Sequence, residues 1–158
     1  MDDRRSAGDI PRHPRAEGQL HRIAQPGHQR DRRVPQGTSR QPGNCQVLDA
    51  RTDGEWDGTN DRGNKRVGRV PGAHHLEWLR FVHTDDSRKF LPAAEIQALL
   101  DGAGIERGKP TITYCQGGIR AAHAAFTMEL LGYDNVRVYD GSMREWANRE
   151  DTPLTTTA

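Results

Sequence analysis

Thr111-Ile112-Thr113-Tyr114-Cys115-Gln116-Gly117-Gly118-Ile119-Arg120-Ala121-Ala122-His123 carries three local signals in unbroken succession. Three β-branched residues and a tyrosine favour a strand. Gly117 and Gly118 allow a tight curl of the backbone, and the alanine-rich segment after them favours a helix from about Arg120 to Leu131. A strand that passes through a glycine loop into a helix is the building unit of a parallel α/β sheet.

The flanking sequence repeats the alternation. Val47-Leu48-Asp49 reads as a short buried strand that ends on a carboxylate, with a short segment around Glu55-Trp56 after it. His74-His75-Leu76 follows the Val70-Pro71-Gly72-Ala73 turn as a second strand. Pro92 opens a helix with Ile96, Leu99 and Leu100 at the spacing of one face, and Gly102 and Gly104 close it. In the helix after the cysteine loop, Ala122, Phe126 and Leu130 share a face, and Gly132 is the cap. Asn135 to Tyr139 is a further strand and Met143 to Asn148 a short helix. Adjacent His74 and His75 point to opposite faces of a strand and cannot easily share a metal ion. Trp56, Trp78 and Trp146 read as core and rim aromatics.

Cys115 stands where a parallel sheet presents unpaired amides and the positive end of a helix dipole. The two glycines let several N–H groups converge on one centre, a nest in which a thiol ionises more readily. A nucleophilic thiolate is the natural use of such a site. Arg120 sits in the first helical turn, where a cation is disfavoured unless an anion pairs with it. Cysteine phosphatases place their arginine six positions after the cysteine, whereas Cys115 and Arg120 are five apart, so this cradle is one residue smaller and a phosphatase or arsenate reductase is disfavoured.

The loop resembles the active-site loop of the rhodanese family of sulfurtransferases, and other landmarks follow in order. Val47-Leu48-Asp49-Ala50-Arg51 is similar to the family's first strand and turn. Gly68-Arg69-Val70-Pro71-Gly72-Ala73 is similar to its G-H-I-P-G-A motif. Gly132-Tyr133 and Tyr139-Asp140-Gly141-Ser142 to Trp146 resemble its closing signature. The resemblance implies a rhodanese-like three-layer α/β fold: a mostly parallel five-stranded sheet with helices on both faces. It implies sulfur transfer by double displacement through a persulfide on Cys115, with thiosulfate or 3-mercaptopyruvate as donor and cyanide or a thiol as acceptor. Cys115 and Arg120 are then the catalytic residues. Gln116, Gly117, Gly118 and Ile119 line the substrate, Asp49 and Arg51 support the loop, and neither a metal nor an organic cofactor is called for.

The resemblance is to the catalytic unit of the two-domain members, so a missing N-terminal rhodanese domain or a dimer partner is the expected neighbour. The alternative is a carrier module that delivers persulfide sulfur to a protein. Vertebrate-type members carry an arginine six residues after the first-strand aspartate, where this chain has Glu55. Mercaptopyruvate-specific members end the loop in a neutral threonine, so Arg120 favours thiosulfate.

Only 33% of residues are hydrophobic, which requires that the core be concentrated in part of the chain. Residues 1–43 contain no Phe, Trp, Tyr, Cys or Lys and are rich in Arg, Pro and Gly. They are expected to be a disordered tail, with 44–158 as the rhodanese domain. Their composition is also what a GC-rich gene read out of frame would give, so a misassigned start or frameshift is expected. A net charge of +1 argues against a nucleic-acid or membrane-surface partner. With no apolar span, no signal-peptide core and only two well-separated cysteines, Cys45 and Cys115, the expected setting is the cytoplasm with reduced thiols.

Overall fold

The computed structural model describes residues 45–156, so the tract 1–43, with the tail expected there, lies outside the described residues. All elements below belong to the unit Val34–Ala158. They are β1 (Gln46–Asp49), α1 (Asp53–Asp57), β2 (His74–His75), a 3₁₀ turn (Trp78–Phe81), α2 (Ala93–Gly102), β3 (Thr111–Tyr114), α3 (Ile119–Leu130), β4 (Val136–Val138) and α4 (Ser142–Trp146).

The strands form one parallel sheet in the order β2-β1-β3-β4. The described residues thus supply four strands where five are expected. The chain near Arg69 meets Thr155 only as an isolated antiparallel bridge. Register places Asp49 beside Tyr114 at the carboxyl ends of β1 and β3, which brings the first-strand carboxylate next to the start of the cysteine loop.

Side chains of β1 alternate between two apolar layers, as a strand covered on both faces must. Leu48 joins Phe81, Ile96, Leu100, Ala124 and Met128 on one face, under α2 and α3. Val47 joins Val70, Tyr114, Met143 and Trp146 on the other, against α4. This is the expected three-layer arrangement. Trp146 is buried, Trp56 stacks on His75, and Trp78 meets His123 edge-on. His74 and His75 bond different backbone carbonyls, those of Ala103 and Arg51.

The packing face of α3 differs from the obvious apolar stripe. Ala121, Ala124, Ala125 and Met128 are buried, while Phe126 and Leu130 are exposed, as is Ile119 at 85%. Small alanines let the helix approach the sheet closely, and the larger side chains are left outside. Among the described residues, no helix is long and apolar enough to cross a membrane.

Candidate active site

The site is assembled at the carboxyl end of β3. Cys115 is the first residue past the strand, and α4 fixes its backbone from one side. The Cys115 N–H donates to Ser142 Oγ at 3.1 Å, and its carbonyl accepts from Met143 N at 3.0 Å. Gln116 O accepts from Arg144 N at 2.9 Å. The cysteine loop is therefore stitched to the Gly141-Ser142 turn, a partner that the 27 intervening residues conceal in the sequence.

The thiol itself is turned inward, only 1% exposed. Gly118 N lies 3.2 Å from Sγ. Burial alone raises the thiol pKa. The N–H groups of Ala121, Gly117 and Gly118 and the charge of Arg120 outweigh it, so the net shift is downward. The amide nest expected from the two glycines is thus present around the sulfur.

Gly118 makes the curl. Its φ of 95° lies in the left-handed region, and a Cβ there would stand 2.8 Å from Asp140 Oδ1. Gly118→Ala is expected to cost about 1–3 kcal/mol through strain. It should also pull the Gly118 amide off the sulfur, and so raise the thiol titration midpoint together with a lowered Tm. A variant with wild-type Tm and titration would show that the loop tolerates the side chain.

Arg120 finds its anion within the chain. Its two terminal nitrogens bind the Glu55 carboxylate at 2.6 and 2.8 Å. Glu55 is 2% exposed. Burial raises its pKa, but the bonds from Arg120 and Thr52 bring it down to about 2. Thr52 and Glu55 form a capping box at the start of α1. The Thr-x-x-Glu pattern at 52–55 signals that helix start in the sequence, whereas the clamp on Arg120 crosses 65 residues and does not. Arg120 thus sits beside the thiol as a fixed charge, with its guanidinium orientation set by Glu55. The nearby Cys115 further stabilises its charged form.

The other expected positions fall close by. Asp49 and Arg51 form a buried pair, with Arg51 Nη2 at 2.6 Å from Asp49 Oδ2. Tyr114 OH also donates to Asp49 Oδ2, at 2.6 Å. This trio braces the strand end just before Cys115. The Gln116 side chain turns away from the sulfur and makes a reciprocal amide pair with Asn64, at 3.0 and 3.1 Å. Ile119 projects to solvent at the loop's exit. His123 packs behind the loop against Trp78, Phe81 and Phe90.

A parallel sheet with a cysteine at its carboxyl edge, inside an amide-lined loop that favours the thiolate, defines an α/β protein built around one activated sulfur. The rhodanese-like domain family matches residues 38–149, and this chain belongs to it. The chain is 38% identical over 128 residues to a thiosulfate sulfurtransferase of Corynebacterium glutamicum, an alignment covering 76% of this chain and 41% of that protein. It is 38% identical over 93 residues to the sulfur carrier protein TtuD of Thermus thermophilus, covering 58% and 32%. The anaerobic ergothioneine biosynthesis enzyme of Chlorobium limicola superposes with a TM-score of 0.66 at 26% identity, over 74% of this chain and 29% of the enzyme. The chain therefore spans less than half the length of these relatives.

Proposed function

We propose that residues 44–158 form a sulfurtransferase domain that carries sulfane sulfur as a persulfide on Cys115. The observation that carries this reading is the inward sulfur with the Gly118 amide at 3.2 Å and its lowered pKa. The Cys115 thiolate attacks the outer sulfur of thiosulfate. A new Cys115 sulfur–sulfur bond forms, the donor's sulfur–sulfur bond breaks, and sulfite leaves with the electron pair. Cyanide or a thiolate then attacks the terminal sulfur, the persulfide bond breaks, and the Cys115 thiolate is restored. The amides of Gly117, Gly118 and Ala121 and the Arg120 charge stabilise the anion at each stage, and ping-pong kinetics follow. Neither a metal nor an organic cofactor enters this scheme. Similarity to a thiosulfate sulfurtransferase and the charged end of the loop support thiosulfate over 3-mercaptopyruvate as the proposed donor.

A second reading, persulfide delivery to a protein without free turnover, is favoured by similarity to a sulfur carrier protein and by Ile119, 85% exposed at the mouth of the loop. The expected neighbour on that side is a second rhodanese unit or another copy of the chain, in a cytoplasmic, thiol-reducing setting. Intact mass spectrometry after thiosulfate treatment tests both readings, with a gain of about 32 Da for one sulfur atom. Thiocyanate formation from cyanide then separates an enzyme from a carrier. An unchanged mass on folded protein would sink the enzyme reading and leave the domain to be studied as a carrier or a fragment.

The thiol titration gives a further prediction. Thiolate absorbance of the wild type, after subtraction of a Cys115→Ser reference, should have its midpoint below the ordinary cysteine value of about 8.5. Because the folded pKa is the lower one, this group's contribution to stability is fully present above the unfolded value and is lost as pH falls through the folded value. A midpoint at or above the ordinary value would contradict the amide nest.

A further inference from the structure

A polar cleft of about 470 Å³ opens beside the cysteine loop. Arg62 and Arg144 both line it, Gln116 and Asn64 contribute their amide side chains, and Asn60 and Asn148 complete the polar lining. No carboxylate is among the lining residues. The cleft is therefore a cationic recess with neutral donors and acceptors around it, and Gln116 of the cysteine loop forms part of its wall.

Arg144 is set for this space by the same contacts that hold the loop. Its backbone is tied to Gln116 O. Its guanidinium lies against Gly117, with Cζ and Nη2 each 3.3 Å from where a Cβ on that glycine would stand. Gly117 thus leaves room for the arginine to cross the loop. Among the described residues Arg51, Arg120 and Arg149 are each engaged by a carboxylate, whereas Arg144 makes no ion pair. Arg62 reaches Glu55 only at 3.8 Å, through Nε. Arg120 has already committed two nitrogens to Glu55. Arg144 is thus the guanidinium against the loop that no carboxylate among the described residues engages.

We propose that Arg144, with Arg62 across the cleft, holds the anionic tail of the sulfur donor, a compact sulfonate or carboxylate, while the donor's sulfur end enters the loop. This inference rests on the sulfur-transfer reading above and assigns the specificity for charged small donors to a side chain outside the loop. A planar guanidinium suits an oxyanion because it offers two parallel N–H donors.

The test uses the full chain with Arg144→Gln and Arg144→Lys. In steady-state transfer to cyanide, Arg144→Gln should raise the KM for thiosulfate about tenfold while kcat changes far less, the signature of lost uniform binding. The Cys115 titration should stay at its wild-type midpoint, and Arg144→Lys should recover part of the loss. In a Cys115→Ser background, calorimetric titration with thiosulfate should show the same roughly tenfold weakening for Arg144→Gln. Equal affinity with and without Arg144 in that background would overturn the proposal even if the wild type forms a persulfide. Conversely, Arg144-dependent thiosulfate binding by a protein whose Cys115 never gains sulfur would uphold the site and overturn the transfer reading alone.

Discussion

Cys115→Ser is expected to gain no sulfur on exposure to thiosulfate and to form thiocyanate only at the uncatalysed background rate. Serine is nearly isosteric and keeps the loop's backbone bonds, so the variant should fold with little change in Tm. What it lacks is a group that ionises near neutral pH and accepts a sulfur atom. The Gly118 amide, 3.2 Å from Sγ in the wild type, would then face an un-ionised hydroxyl. Cys45 provides an internal control. It is half-buried with its thiol pKa raised, chiefly by burial, and its sulfur lies against the carbonyl of Gln46, not an amide nest. Cys45→Ser should therefore retain the full mass gain of about 32 Da. Sulfur uptake by Cys115→Ser equal to that of the wild type would move the nucleophile elsewhere and end the assignment of this loop.

Much of this architecture is legible because its determinants are local. β3 runs over the same four residues that the β-branched run marks, Thr111–Tyr114, and α3 starts one residue before the expected Arg120. β4 is shorter than the Asn135 to Tyr139 run, since only Val136–Val138 pair with β3. The packing side of α3 is harder to read. Phe126 and Leu130 are the larger apolar residues, yet close approach to the sheet selects alanines, and size alone points to the wrong face. The site follows the same division. Cysteine, glycines and arginine lie within six consecutive positions and declare themselves, and the two glycines predict the nest. The ligands that orient them do not. Glu55 and Ser142 lie 65 and 27 residues from their partners, and nothing local links them. Arg120 shows the consequence: its position in the first helical turn calls for an anion, and that anion is the buried Glu55 of the same chain.

Asp49→Ala should be the most damaging single substitution for stability. Asp49 is fully buried and Arg51 is 2% exposed. The carboxylate receives Arg51 Nε at 2.9 Å, Nη2 at 2.6 Å, the Arg51 N–H at 3.0 Å and the Tyr114 hydroxyl at 2.6 Å. Removing one partner of a buried pair costs about 3–5 kcal/mol, because the remaining charge has lost both water and its counter-ion. That is a large part of the 5–15 kcal/mol typical of a whole domain. The damage should not stay in β1. Tyr114 immediately precedes Cys115, and its hydroxyl accepts from Val70 N at 3.3 Å, so an unpaired Tyr114 loosens β3 and the loop together. Asp49→Asn keeps one acceptor oxygen and the side-chain volume and should lose less. Tyr114→Phe deletes a single hydroxyl and should lose about 1 kcal/mol, near the net contribution of one hydrogen bond. Urea denaturation of the three variants should rank them in that order. Because the loop is braced through this trio, the thiol midpoint should rise in the same order. A stable Asp49→Ala protein, within about 1 kcal/mol of wild type, would show that Arg51 finds another partner and that the carboxylate does not hold the strand end.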